Sequence, residues 1–126
     1  MKKIYLFTKL NFHFFNVILF IFYLYPGSIL GWLIHKDFKK QPSITTDFVV
    51  SSNHFYVFFI LSILGLISYN RIQRKMLFIY LFTISIILEL CHKIIPNRSF
   101  EFSDLFGNLF GVLLIFIFYQ FFKIQK

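Results

Sequence analysis

The chain of 126 residues is 58% hydrophobic, 23% aromatic and only 14% charged, whereas globular domains are roughly 45–50% apolar and about 25% charged. So few polar side chains cannot cover an aqueous surface, which excludes an ordinary soluble domain and indicates a protein that sits in lipid. The formal net charge of +8 therefore indicates contact with membrane lipids and their headgroups, and not nucleic acid as a partner.

Four apolar stretches follow one another along the chain and predict four transmembrane helices. They cover about 12–33, 54–69, 76–95 and 105–122, close to the roughly 17–25 residues that cross a bilayer. Pro26 predicts a bend or an end within the first span. Because the stretches lack the alternating pattern of membrane β-strands, the predicted fold is an all-α membrane protein, a single domain over 1–126 that forms a bundle of four transmembrane helices.

The distribution of Lys and Arg predicts the orientation of these helices. Eight basic residues lie at the termini and in the second connection, namely Lys2, Lys3, Lys9, Arg71, Arg74, Lys75, Lys123 and Lys126. Five lie in the other two connections, namely Lys36, Lys39, Lys40, Lys93 and Arg98. Because basic residues concentrate on the cytoplasmic side, we expect a multi-pass protein of the cell membrane with both termini in the cytoplasm.

Six polar side chains lie inside or beside the apolar stretches, where lipid normally excludes them. These candidate pocket residues are His54, Glu89, His92, Arg98, Asp104 and Asn108. With four alternating spans, all six fall at the outer end of the bundle, so we expect them to form one outward-facing polar pocket. Glu89 is the most informative of them, because a charge inside a span costs about 2.5–3.5 kcal/mol on insertion scales and needs a partner or a proton.

Helical spacing supports this convergence. Glu89 and His92 are three residues apart, and Asp104 and Asn108 are four apart, so each pair shares one helix face. Gly107 and Gly111 form a Gly-x-x-x-Gly pattern, which predicts close packing of the fourth helix against a neighbour. We expect Arg98, on the loop after Pro96, to supply the counter-charge to the carboxylates.

Simpler interpretations of these residues stay open. Asp104 suits a cap of the fourth helix, Arg98 can extend to lipid headgroups, and His54 can be an interfacial residue with one satisfied hydrogen bond. A metal site would use His54, Glu89, His92 and Asp104. Their spacing matches no metal motif, so the sequence predicts neither a metal nor another cofactor.

The segment Glu89–Gly111 reads ELCHKIIPNRSFEFSDLFGNLFG and resembles the signature of the VanZ-like family of small bacterial integral membrane proteins. The family's signature has an acid late in one helix, then a Pro-x-Arg-Ser sequence, then Asp, Asn and Gly at the start of the next helix, and this segment has all of these features. A second hallmark of the family is a His-Phe dipeptide, which His54-Phe55 supplies at the start of the second span. The corresponding positions are Glu89, Pro96, Arg98, Ser99, Asp104, Asn108 and Gly111. The resemblance covers about half of the chain, roughly from Ser52 to Phe116.

The chain departs from the family's pattern in two places. Val50 and Ser51 stand where the family usually has an Asp-Lys pair shortly before the His-Phe dipeptide, so the outer rim lacks that acid–base pair. His92 stands where many members carry Gln after the acid. Two effects of this change are open: it preserves the hydrogen bonding of Gln, or it alters protonation near neutral pH.

The family is named for a protein associated with low-level resistance to teicoplanin, a lipoglycopeptide antibiotic that acts at the bacterial cell surface. The resemblance implies a protein of the bacterial cell envelope. We expect its pocket to bind or modulate an amphiphile, either a lipid-linked wall precursor, a lipid headgroup or a lipoglycopeptide, with Arg98 pairing with a phosphate or carboxylate.

Two other functions are open at this point. One is an intramembrane hydrolase or transferase that uses Glu89 or His54 as a general base and Arg98 to stabilise an anion. The other is a purely structural membrane component whose polar residues only order helix packing. The sequence leaves the oligomeric state undecided.

Overall fold

A computed structural model describes residues 1–124, and these fold into five α-helices with no strand among them. The helices are α1 Lys2–Leu24, α2 Ile29–His35, α3 Ser52–Ser68, α4 Arg74–Cys91 and α5 Phe102–Ile124. The prediction of an all-α protein is confirmed. Lys126, one of the residues in the charge comparison, lies outside the described residues.

The first predicted span is divided into two helices around Pro26. α1 extends back to Lys2 and ends at Leu24, and the seven-residue helix α2 begins at Ile29. Between them Gly27 has a φ of +130°, a conformation that glycine adopts far more readily than other residues. The stretch 12–33 therefore comprises the second half of α1 and most of α2 and not one continuous helix, because the chain turns where proline interrupts the helical hydrogen bonds.

The third predicted span ends earlier than expected. α4 ends at Cys91, and the residues after it form turns, in which the backbone N–H of Ile94 donates to Cys91 O at 3.0 Å. Glu89 therefore lies in the last turn of α4, nearer to the helix end than the span 76–95 predicted. The second and fourth spans differ from α3 and α5 by one to three residues at their ends.

Two of the helices are long and apolar enough to cross a membrane, namely α1 and α5, each of 23 residues. α3 is apolar but has 17 residues. α4 has 18 residues, which include Arg74, Lys75 and Glu89.

The outward faces of α1 and α5 are apolar over several turns. The exposed residues on these faces include Leu10, Phe14, Val17 and Ile21 of α1 and Phe106, Phe110, Leu113 and Ile117 of α5. Soluble monomers rarely expose continuous apolar surfaces of this kind, whereas a lipid environment favours them. The surface thus agrees with the membrane association that the length and composition of α1 and α5 indicate.

α3 lies at the centre of the bundle and packs against α1, α4 and α5. Phe58 and Leu61 of α3, Leu81 of α4 and Val112 of α5 are fully buried members of one apolar core. This core fills the middle of the bundle, where the buried hydroxyls of Ser62 and Ser85 donate to backbone oxygens of their own helices.

α3 and α5 approach each other most closely at two glycines. A Cβ atom at Gly107 would lie 2.8 Å from the backbone oxygen of Ser51, and one at Gly111 would lie 2.7 Å from the backbone oxygen of Phe55. Backbone atoms in a packed helix cannot move aside as a flexible side chain can. Both glycines therefore allow the close contact between α3 and α5.

We expect Gly111→Ala to destabilise the bundle by about 1–3 kcal/mol, as overpacked cores do, because its methyl group meets the backbone of α3. Gly65→Ala is the matched control: its Cβ would meet the side-chain ends of Leu77 and Phe12, at 2.8 and 3.0 Å, and these can rotate. Thermal unfolding in detergent measures both. If Gly65→Ala lost as much stability as Gly111→Ala or more, the close backbone contact at Gly111 would not be what limits the size of the side chain there.

Candidate functional site

A cluster of buried polar side chains lies at one end of the bundle, where α1 and α4 end and α3 and α5 begin. We call this the polar end, and define the polar cluster as Tyr23, His54, Glu89, His92, Asp104 and Asn108. Five of these residues are buried and Asp104 is partly buried. The helices alternate in direction, so residues far apart in the sequence meet at the same level.

Asn108 is the centre of the cluster. Its Nδ2 donates to the backbone oxygen of Ser85 on α4 at 3.1 Å, which leaves its Oδ1 as an acceptor. The hydroxyl of Tyr23 donates to that Oδ1 at 2.6 Å, and Nδ1 of His54 lies 3.0 Å from it. One amide thereby joins α1, α3, α4 and α5.

These contacts assign the proton on the His54 ring. The single hydroxyl hydrogen of Tyr23 goes to Asn108, and yet the Tyr23 oxygen also lies 2.8 Å from His54 Nδ1. An amide oxygen only accepts hydrogen bonds, so Nδ1 fits both neighbours as an N–H donor. The other ring nitrogen, Nε2, faces Asp104 Oδ2 at 3.5 Å.

Glu89 and His92 form a buried pair on α4. His92 Nδ1 lies 3.2 Å from Glu89 Oε1, and His92 Nε2 lies 3.0 Å from the backbone oxygen of Tyr23. Because a carbonyl oxygen only accepts, Nε2 carries a hydrogen, and the contact between Nδ1 and the carboxylate requires one further proton. His92 also stacks on Tyr23, with ring centroids 5.6 Å apart, which fixes the imidazole in place.

The two oxygens of Glu89 have different surroundings. Oε1 accepts from the backbone N–H of Glu101 at 3.3 Å, just before α5 begins. Oε2 is buried and has no hydrogen bond among the described residues, although the charged form of His92 would pair with it, since His92 Nδ1 lies 3.2 Å away, and His54 Nδ1 lies 3.8 Å away. A fully buried carboxylate oxygen without a hydrogen bond is uncommon in folded proteins.

Asp104 is the third residue of α5, since the helix begins at Phe102. It therefore lies inside the first turn and is not the N-cap that the simpler interpretation expected. A carboxylate in the first turn is still favoured by the helix dipole. Its side chain is 17% exposed, so it forms the solvent-facing rim of the polar cluster.

Arg98 has a different role from the expected one. Its Nε donates to Tyr25 O at 3.2 Å and its Nη2 donates to Phe22 O at 2.5 Å, so it binds carbonyls at the end of α1. Among residues 1–124 no carboxylate lies within 4.0 Å of its guanidinium. The expectation that Arg98 pairs with the buried carboxylates is therefore wrong, because the loop carries it to α1.

A cleft of about 100 Å³ opens beside the polar cluster, between the end of α1, α2 and α3. Its walls are partly apolar and partly polar. They include Ile29, Leu30, Ile44, Val57, Asn53, His54, His92 and Arg98. The cleft thus combines one guanidinium and two imidazoles with an apolar lining.

The structure brings His54, Glu89, His92, Asp104 and Asn108 together and places Arg98 beside them at the cleft. Sequence reasoning missed Tyr23, whose hydroxyl contacts both His54 and Asn108. Tyr23 precedes Pro26 by three residues, at the same end of the first span as the other members of the cluster. That position was the available signal, but tyrosines near span ends ordinarily mark the membrane interface.

No protein-family model, no curated protein and no solved structure matches the chain. The VanZ-like resemblance therefore stays a prediction that depends on the residues quoted above. The geometry of the polar cluster and the cleft is what bears on function.

We expect Tyr23→Phe to destabilise the bundle by about 1 kcal/mol, since hydrogen bonds between membrane helices average about 0.6 and reach about 1.7 kcal/mol, and this hydroxyl contacts two groups. Tyr25→Phe is the control, because Tyr25 is exposed and lies outside the polar cluster. Thermal unfolding in detergent compares them. Equal stability of Tyr23→Phe and the wild type would show that the hydroxyl contacts do not hold the helices together.

Proposed function

We propose that the chain is a four-span protein of the bacterial cell membrane in which α1, α3, α4 and α5 cross the bilayer and both termini lie in the cytoplasm. α3 and α4 are roughly 25 and 27 Å long at about 1.5 Å per residue, slightly short of the roughly 30 Å hydrocarbon core. The turns that follow α4 add length at the polar end. The resemblance to the VanZ-like family supports a location in the bacterial envelope.

The contacts at the other end of the bundle support the same topology. Tyr69, at the end of α3, lies 3.3 Å from the ring nitrogen of His13 on α1, and Arg74, at the start of α4, lies over the ring of Tyr119 on α5. The four helices thus alternate in direction. Lys9, Arg71 and Lys75 are also at this end, as expected for a cytoplasmic face.

Cysteine labelling tests the topology. In a Cys91→Ala background, Ile72→Cys and Ile94→Cys place single thiols on loops at opposite ends, at residues that are 89% and 86% exposed. A membrane-impermeant maleimide should label Ile94→Cys on intact cells and Ile72→Cys only after permeabilisation. Labelling of both from the same side would contradict four alternating spans.

The proposed activity is binding of the anionic headgroup of an envelope amphiphile at the cleft beside Arg98. A lipid-linked wall precursor, a lipid headgroup or a lipoglycopeptide each offers a phosphate or carboxylate joined to apolar chains. The observation that carries this proposal is the Arg98 guanidinium, which is positioned by two carbonyls, lines the cleft, and has no carboxylate within 4.0 Å among the described residues.

Arg98 keeps both its charge and its unused donors. A guanidinium has five N–H donors, and two of the Arg98 donors bind Tyr25 and Phe22, which leaves three for an anion. Burial lowers the pKa of Arg98 from its ordinary value, against the opposing effects of Tyr23, Glu89 and Asp104. Arginine side chains stay protonated in proteins, so the cleft carries a positive charge at neutral pH.

We expect Arg98→Ala to weaken binding of an anionic amphiphile to the reconstituted protein by about 10- to 100-fold, since a hydrogen bond to a charged group contributes about 1.5–3 kcal/mol. Arg98→Lys should recover part of the affinity, because it restores the charge without the planar fork. The probes are lipid II, phosphatidylglycerol and teicoplanin, and phosphatidylcholine serves as the uncharged comparison.

Lys39→Ala is the matched control, because it removes the same charge from an exposed loop at the polar end. Its affinity should equal that of the wild type. If Arg98→Ala folds and binds every probe as the wild type does, the headgroup proposal fails and a structural role gains support. Conversion of a bound probe to product would instead favour the hydrolase or transferase interpretation.

A further inference from the structure

We propose that His54, Glu89 and Asp104 bind one divalent transition-metal ion at the polar end of the bundle. One nitrogen of His54 and one carboxylate oxygen from each of Glu89 and Asp104 lie within 4.8 Å of one another. The three residues come from α3, α4 and α5, so an ion held by them would join three helices. This inference does not depend on amphiphile binding.

The unpartnered oxygen of Glu89 is the observation that points to a ligand. Glu89 is 0% exposed, and its Oε2 has no hydrogen bond among the described residues, while its Oε1 is held by the backbone N–H of Glu101. One oxygen is thus fixed, and the other has close contacts with His92 Nδ1 at 3.2 Å and His54 Nδ1 at 3.8 Å but no hydrogen bond, so it keeps a lone pair for a ligand. A buried acceptor in this state is unfavourable unless a cation or a proton satisfies it.

His54 is oriented as metal-binding histidines are. Its Nδ1 faces Asn108 Oδ1 at 3.0 Å as a donor, and Asn108 is itself held by Ser85, which is the outer-shell arrangement that fixes a ligating imidazole. The neutral ring then presents the lone pair of Nε2 to the carboxylate of Asp104. A lone pair facing a carboxylate is repulsive unless a proton or a metal lies between them.

The separation of Nε2 from Asp104 Oδ2 fits two ligands of one ion. It is 3.5 Å, longer than the roughly 2.7–3.2 Å of ordinary hydrogen bonds to oxygen. Ligands at about 2.0–2.2 Å from a tetrahedral ion are roughly 3.4 Å apart. The three ligand atoms lie within 4.8 Å of one another, so the Glu89 carboxylate would have to turn towards the ion to bring its oxygen to the same distance.

Charge and donor chemistry define the class of ion. Glu89 and Asp104 carry two negative charges when ionised, and no Lys or Arg among residues 1–124 lies within 4.0 Å of either carboxylate. A divalent cation balances both when its binding releases the proton that His92 and Glu89 share. One imidazole with two carboxylates suits Zn²⁺, Fe²⁺ or Mn²⁺ better than the all-oxygen preference of Ca²⁺ or Mg²⁺. Three protein ligands leave a tetrahedral ion one position for water or another ligand.

Metal titration of the full-length protein in detergent tests the inference. After chelator treatment, we expect the wild type to bind one Zn²⁺ per chain, and Co²⁺ to give the strong visible absorption of a four-coordinate site. His54→Gln and Asp104→Asn should each weaken Zn²⁺ binding by at least about 100-fold, more than loss of an outer-shell partner does. His35→Gln, an exposed histidine on α2, should bind as the wild type.

Several results would overturn the inference. These are clearly less than one Zn²⁺ per wild-type chain, no four-coordinate Co²⁺ spectrum, or binding that survives both His54→Gln and Asp104→Asn. If neither variant folds, the wild type decides the question, because specific binding must raise its melting temperature with increasing Zn²⁺. An unchanged melting temperature would mean that protons, and not a metal, neutralise the carboxylates.

Discussion

The backbone contact between α3 and α5 is the constraint on which the polar end of the bundle depends. Gly107 and Gly111 let α5 lie directly on α3, with no room for a Cβ atom at either position. Asn108 stands between the two glycines and is fully buried, so it reaches His54 across the contact, and Asp104 reaches the same ring from one turn away. A wider separation of the two helices would leave both imidazole nitrogens without these neighbours.

The helix contact has a chemical consequence, because polar groups buried in an apolar bundle must satisfy one another. Asn108 and Tyr23 form a hydrogen bond with each other, and Asn108 also donates to the Ser85 carbonyl. Glu89 accepts hydrogen bonds through only one of its two oxygens. The polar cluster is therefore well ordered on the Tyr23 side and retains an unsatisfied acceptor on the side of the carboxylates, where a cation or a proton has to be accommodated.

The two proposals use different parts of the same end of the molecule. Arg98 is held outside the polar cluster by the carbonyls of Phe22 and Tyr25, and it gives the cleft its positive charge. Glu89 lies deeper and Asp104 at the rim of the polar cluster, and their negative charge has no basic partner among the described residues apart from histidines. Separation of the guanidinium from the carboxylates places the proposed anion site and the proposed cation site side by side.

Much of the fold followed from composition and periodicity, because long apolar stretches in lipid can only be helical when they lack the strand pattern. Helix ends were less predictable. Pro26 predicted the break after α1. The early end of α4 at Cys91 depends on turn hydrogen bonds, which cannot be predicted from the apolar character of the residues. The position of Tyr23 was visible too, yet nothing in the sequence distinguishes a buried tyrosine from one at the membrane interface.

The sequence by itself determined which polar residues belong to one end of the bundle, since alternating helices place His54, Glu89 and Asp104 at the same level whatever their detailed packing. Only the tertiary structure decided which of them touch. Packing between the helices sets the rotation of each helix about its axis and the path of the loop from Pro96 to Ser99. As a result, Arg98 contacts α1 and the carboxylates face His54. Such contacts depend on distances between helices, which spacing along one helix does not encode.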